Sequence, residues 1–157
     1  MECNSRNIYK IGRRTTGFTQ EHWAEALGVS VESVRGYETG KQIPCDEVVR
    51  AMSEISGLAQ LSYWHLCRKS ELAAELLPEL DAVPLPQAVI RLICSIRDFA
   101  DRHRSDTLLD IAADGVIDES ERPEFDAIVR ELEGIVQAAL QLKYSEGGAG
   151  SGSAFKS

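Results

Sequence analysis

The chain has 157 residues, 43% of them hydrophobic and 27% charged, and a formal net charge of −8. These values describe an ordinary globular protein with room for one good core or two small ones, and they exclude a disordered or collagen-like chain. No apolar run approaches the ~18–20 residues that cross a bilayer, and the polar start Met1-Glu2-Cys3-Asn4-Ser5-Arg6-Asn7 has no signal-peptide core, so a cytoplasmic protein is expected.

The distribution of charge says more than its sum. Seven basic residues (Arg6, Lys10, Arg13, Arg14, Arg35, Lys41, Arg50) face eight acidic ones (Glu2, Glu21, Glu25, Glu32, Glu38, Asp46, Glu47, Glu54) up to Gly57, so most of the negative charge lies downstream. An acidic second half repels a phosphate backbone, and any nucleic acid must be bound by the first half. The cysteines Cys3, Cys45, Cys67 and Cys94 form no CxxC pair. They read as reduced packing thiols rather than a zinc site or disulfide scaffold.

In chain order, a first short helix is predicted over about 7–16. Ile8 and Ile11 stand at helical spacing, Lys10, Arg13 and Arg14 surround them, and Gly17 closes the helix. Thr19 caps a second helix whose inner face is Trp23, Ala24 and Leu27, and Gly28 supplies a turn. Ser30 caps a third helix, with Ser33 at its third position and Val31, Val34 and Tyr37 along it. Thr39-Gly40-Lys41-Gln42-Ile43-Pro44 breaks the chain, and Asp46 opens a fourth helix carrying Val48, Val49, Met52 and Ile55. A fifth, over about 58–68, offers Leu58, Leu61, Trp64 and Leu66.

Five short helices in about 60 residues resemble the small all-helical domains of phage repressors and Cro, the Xre family of helix-turn-helix regulators. The resemblance is carried by Thr19-Gln20-Glu21, Ala24, Leu27-Gly28-Val29-Ser30, Val34, Tyr37-Glu38, Gly40-Lys41 and Pro44, and it covers 7–70. It implies double-stranded DNA as partner, with the third helix in the major groove and a regulator of transcription as the outcome. By position it implies Gln20 for phosphate and also base contact, Val31, Glu32, Ser33, Arg35 and Gly36 on an exposed recognition face, and Lys41, Arg13 and Arg14 for backbone positioning. Arg35 has the chemistry to read guanine and Glu32 to accept from cytosine; Val31 suits a thymine methyl, while Gly36 offers only close backbone approach. An alternative is that the same fold serves as a protein interaction module without specific DNA binding.

Segment 71–84 reads as a connecting helix, capped by Ser70 and ended by Pro78, followed by a linker. A helical hairpin is expected over 85–144. Leu85, Val89, Leu92, Ile96, Phe99 and His103 form a seam on its first helix, and Phe125, Ile128, Leu132, Ile135, Ala139 and Leu142 form one on its last. A short helical piece near 107–113 joins them. Surplus apolar residues beside these seams (Ile90, Ile93 and Cys94; Val129, Val136 and Leu140) suit either docking on the first domain or a homodimer. A Gly/Ser-rich tail is expected over 145–157.

Within the hairpin, Asp110, Asp114, Asp118 and Glu121 fall at the first, fifth, ninth and twelfth positions of a loop with Gly115 sixth, as in an EF-hand. That spacing allows a calcium-responsive regulator, although Ala112 removes one ligand. The same residues also suit a metal-free turn at Asp114-Gly115 and a capping box made by Asp118 and Glu121. His22, His65 and His103 lie far apart, and no nucleophile motif, phosphate loop or dinucleotide fingerprint is present, so no enzyme and no cofactor are expected.

Overall fold

The structure, a computed structural model, describes residues 7–145. Cys3 and Arg6, the polar start and all but the first residue of the expected tail lie outside the described residues. Those described are all-helical, with no strand element among them and no helix long and apolar enough to cross a membrane. The chain divides into two compact units, the first running to Asp81 and the second beginning at Ala82.

The first unit contains α1 (Ile8–Thr16), α2 (Gln20–Leu27), α3 (Val31–Thr39), α4 (Asp46–Ser56), α5 (Gln60–Lys69) and α6 (Glu71–Leu76). Local chemistry starts and stops these helices. The Asn7 side chain accepts from the Tyr9 and Lys10 amides, Thr19 from His22, Ser30 from Ser33 and Ser70 from Ala73. Each satisfies a donor that the helix start would leave open. Gly28 ends α2 at φ 67°. There the Gly28 amide donates to Glu25 and the Val29 amide to Ala24 at 3.0 Å, a Schellman arrangement that requires the left-handed conformation.

Around this frame Ile8, Tyr9, Trp23, Ala24, Val34, Val49, Met52, Leu58 and Leu61 form one buried core. Helix α1 packs on α3, α4 and α5, and α2 on α3 and α4, so each core helix has several neighbours. Ile55 and Leu66, expected to face inward, are exposed, and Leu58 precedes α5 instead of belonging to it. His65 is buried and joins three helices: its Nδ1 meets the Tyr9 hydroxyl at 3.0 Å and its Nε2 meets Asp46 at 3.2 Å. Burial pushes the Tyr9 phenol up from its ordinary range, an effect the Arg68 charge opposes.

The second unit contains α7 (Leu85–Asp101), α8 (Arg104–Ile111) and α9 (Arg122–Lys143), with α7 and α9 packed along each other. Arg91 donates to Gln141, and Arg102 and Arg104 pair with Glu131, so the two helices run antiparallel. The expected seam is rotated on α7, whereas on α9 Phe125, Ile128, Ile135 and Leu142 are covered as expected. On α7 the covered stripe is Ala88, Leu92, Ser95 and Phe99, while Leu85, Val89 and Ile96 are exposed. On α9 Ile128 and Ala138 are buried and Leu132 is exposed. The small side chains of Ala88 and Ala138 allow close approach, which turns the larger aliphatics outward. Cys45 and Cys94 are exposed and Cys67 half-buried, so the expectation of packing thiols fails at Cys45 and Cys94.

Candidate nucleic-acid interface

Helices α2 and α3 meet through the turn Gly28-Val29-Ser30, which leaves the start of α3 at the surface. The Ser30 hydroxyl takes the Ser33 amide at 3.0 Å and lies 2.8 Å from the Ser33 hydroxyl. Glu32 and Arg35 are exposed, with Arg35 Nη1 3.8 Å from the Glu32 carboxylate. At that exposure the pair is weakly held and both groups remain available.

Behind this surface runs a chain of side chains reaching inward. Arg35 Nε donates to Gln20 Oε1 at 3.4 Å, a long contact, and Gln20 Nε2 donates to Glu38 at 2.8 Å. Glu38 in turn receives Arg13 through Nε at 2.5 Å and Nη2 at 3.2 Å, while Arg13 Nη1 donates to the Phe18 carbonyl at 2.7 Å. The Glu38 side chain is 6% exposed and that of Arg13 14%. Burial alone pushes the Glu38 carboxyl up, but hydrogen bonds from Arg13 and Gln20, with the Arg13 charge, outweigh it and hold the group below its ordinary range. The Glu38 hydrogen bond in return raises Arg13.

Three of the expected contact residues therefore stand elsewhere. Arg13 is not a free surface cation, because its guanidinium is satisfied by Glu38 and Phe18. Gly36 is buried, with the Gln42 amide donating to its carbonyl at 3.1 Å. A Cβ there would come within 2.9 Å of the Gln42 side chain, so the glycine admits the α3–α4 loop instead of a groove. Val31 is half-buried against the core, since one turn before Val34 it shares that inner side. Glu32, Arg35, Arg14 and Lys41 are exposed, and Ser33 and Gln20 are half-buried.

Glu38 and Gln42 are the residues that sequence reasoning missed as organisers of this region. Glu38 lies 25 positions from Arg13, far beyond the spacing at which helix neighbours can be inferred. Gln42 lies in a loop, where no periodicity operates.

Two other candidate places differ from this one. The carboxylates Asp110, Asp114, Asp118 and Glu121 do not gather into a calcium cage, and among the described residues no three metal-ligating side chains converge. Asp118 accepts from the Ser120 and Glu121 amides and the Ser120 hydroxyl, and Glu121 accepts the Asp118 amide at 3.1 Å. These local bonds hold the Asp118 carboxyl below its ordinary range. They make a reciprocal box in the turn just before α9, and the Asp114 carboxylate receives the Val116 amide. A cleft of about 610 Å³ also lies in the first unit among Ile8, Trp64, Arg68, Leu77 and Leu80. Two of its lining side chains bond to the chain's own backbone, Tyr63 to the Pro78 carbonyl at 2.6 Å and Trp64 to the Leu80 carbonyl at 2.9 Å.

The chain matches no protein-family model, no curated protein and no solved structure.

Proposed function

We propose that the first unit is a helix-turn-helix domain of Xre type that binds double-stranded DNA sequence-specifically and regulates transcription. Helix α3 enters the major groove, where Arg35 reads guanine, Glu32 accepts from cytosine N4, and the Ser33 hydroxyl reaches a base or phosphate. Gln20, at the start of α2, and the exposed Arg14 and Lys41 meet the phosphate backbone. Two protomers bind half-sites about one helical turn apart.

The observation that carries this reading is the linkage from half-buried Arg13 through Glu38 and Gln20 to the exposed guanidinium of Arg35. A long cation restrained at its base loses less freedom on meeting a base edge, which is what a reading residue needs. Glu21 works against phosphate: hydrogen bonding to its own amide at the start of α2, with help from Thr19, keeps its carboxyl below the ordinary range and charged. Affinity therefore rests on few cations and on pairing of two protomers.

Selection of bound fragments from random DNA tests the reading. The wild type is expected to yield a motif, and Arg35→Ala is expected to lose about 1–3 kcal/mol on it and relax one guanine position. Binding should fall steeply with added salt. Failure to retain any fragment at low salt would overturn the DNA reading, and a motif indifferent to Arg35→Ala would remove that residue's role.

A further inference from the structure

We infer that the cleft between α5, α6 and the returning segment 77–80 binds a free α-amino acid with a large apolar side chain. Its carboxylate meets Arg68, its ammonium meets Glu71, and its side chain lies on the apolar floor beside Trp64. The site uses no residue of the proposed DNA-reading surface, and its test needs no DNA.

The cleft exists because α6 does not fill it. Ser70 both ends α5 and caps α6, so the two short helices meet at a corner. On the inside of that corner α5 places Trp64 and Arg68, and α6 places Glu71 and Ala74. Leu72 and Leu76, the side chains of α6 large enough to plug the gap, are instead 67% and 77% exposed. The chain then returns past α5, where the Tyr63 hydroxyl donates to the Pro78 carbonyl and the Trp64 indole to the Leu80 carbonyl. These two bonds hold Leu77 and Leu80 as the opposite wall, so the walls stand before a ligand arrives and no loop has to be ordered on binding. Ile8 and Leu80 are buried and Trp64 and Leu77 half-buried, which makes the floor apolar and leaves charge to the rim. At about 610 Å³ the space falls within the roughly 300–1,000 Å³ of small-molecule sites, which share this plan of apolar lining with a few polar groups.

Charge selects the occupant. Arg68 and Glu71 stand on either side of Ser70, both exposed at the rim. Among the described residues neither makes a hydrogen bond or ion pair, even with the other, whereas Glu79, the third charged group of the lining, is already engaged. Opposite charges left unjoined above an apolar floor complement a molecule that carries both charges beside an apolar body. A ligand with only a carboxylate meets Glu71 as well as Arg68, and one with only an ammonium meets Arg68 as well as Glu71, so each singly charged amphiphile faces a like charge. An α-amino acid carries both groups on one carbon, and the guanidinium fork can take its carboxylate through two N–H donors. The floor, with Trp64 as its aromatic member, favours a large apolar side chain over a small or polar one.

Titration calorimetry of the full chain with L-phenylalanine decides the matter. The wild type is expected to bind it with a Kd on the order of 100 μM and to melt at a higher temperature in its presence. Hydrocinnamate, which lacks the ammonium, and phenethylamine, which lacks the carboxylate, should each bind at least about tenfold more weakly. Arg68→Gln should weaken phenylalanine by at least about tenfold while strengthening phenethylamine, and Glu71→Gln should weaken phenylalanine while strengthening hydrocinnamate. Ala74→Leu should fill the cleft and abolish all three, with unchanged helical circular dichroism because Ala74 is exposed. No saturable heat at about 10 mM phenylalanine, or binding indifferent to Ala74→Leu, overturns the inference. N-acetylphenylalanine amide bound as tightly as phenylalanine would make the cleft a groove for a peptide side chain and overturn it too. Failure of the DNA reading with phenylalanine binding intact would leave this site standing.

Discussion

The first unit turns most of its large side chains inward, with Ile43, Ile55, Leu66, Leu72 and Leu76 left outside, whereas the second leaves most of its larger aliphatics exposed. Trp23, Met52 and Leu61 are almost fully covered, while Val89, Ile93, Ile96 and Val136 are each at least two-fifths exposed. Side-chain caps start four helices of the first unit and none of the second, but a cap fixes where a helix begins and not which of its sides is covered, so the contrast does not arise there. It arises from the number of neighbours. In the first unit α1 meets three other helices and its apolar residues find partners in several directions. In the second, each of three helices meets the other two, and an apolar arc wider than one stripe has nothing inside the unit to cover it.

Polar chemistry separates the units in the same way. The Arg13–Glu38 pair is buried and braced by Gln20 and a carbonyl, while Arg104 shares Glu131 with Arg102 and also reaches the exposed Glu124. The Arg104 hydrogen bond, and then its charge, hold the Glu131 carboxyl below its ordinary range. In the first case removing one partner strands a desolvated charge. In the second, water replaces what is lost.

The largest expected effect is Trp23→Ala, which should destabilise the first unit by about 3–5 kcal/mol. Ile93→Ala, at a side chain 49% exposed, should change stability by under about 0.5 kcal/mol. Both tryptophans lie in the first unit, so urea unfolding followed by the remaining Trp64 fluorescence, alongside circular dichroism, reads the two units separately. Similar losses from the two substitutions would break the contrast.

Next is Glu38→Gln, expected to cost about 2–3 kcal/mol by leaving the half-buried Arg13 without its counter-charge. The pH dependence follows from the direction of the shift. The Glu38 carboxyl is lower in the folded state than in the unfolded one, so its stabilisation is fully present above the unfolded value, near 4.3, and is lost as pH falls through the folded value. Wild-type melting temperature should therefore drop more steeply below about pH 4.3 than that of Glu38→Gln. Arg104→Ala in the second unit should cost less and lose its effect in high salt.

Smaller still is Ser30→Ala, expected to cost about 1 kcal/mol through the lost cap on α3. The smallest is Gly36→Ala. A helix interior gains up to about 1 kcal/mol from the exchange, and this offsets the shift the new methyl demands of Gln42, whose Cδ and Oε1 at 2.9 Å can swing away while Cγ at 3.1 Å gives by a few tenths of an ångström. Melting should shift little, and DNA affinity should not fall. A loss of binding at unchanged stability would return Gly36 to the contact face.

The reading of particular elements shows where local sequence information ends. The starts of α2, α3 and α6 at Thr19, Ser30 and Ser70, and the Asp118–Glu121 box, were legible because each involves side chain and amide within three or four residues. Helix α7 was legible as a helix from its period. Its buried side was not, because Leu85, Val89, Ile90, Leu92, Ile93, Ile96 and Phe99 cover more than half of its circumference, and periodicity cannot rank two adjacent stripes. Among the expected contact residues, exposure of Glu32 and Arg35 followed from their place on α3. The inward turn of Gly36 depended on a loop residue, and the loss of Arg13 to Glu38 depended on a partner in another helix.

The sequence by itself determined an all-helical chain, the main breaks between its helices and the surface position of Glu32 and Arg35. These follow from capping, turn chemistry and helical period, which act over a few residues. Only the tertiary structure decided that Arg13 braces Glu38, that Gly36 makes room for Gln42, and that the hairpin keeps an apolar side uncovered. Each of those outcomes is a competition between partners for the same side chain or the same face, and it is resolved only when distant segments have been brought together.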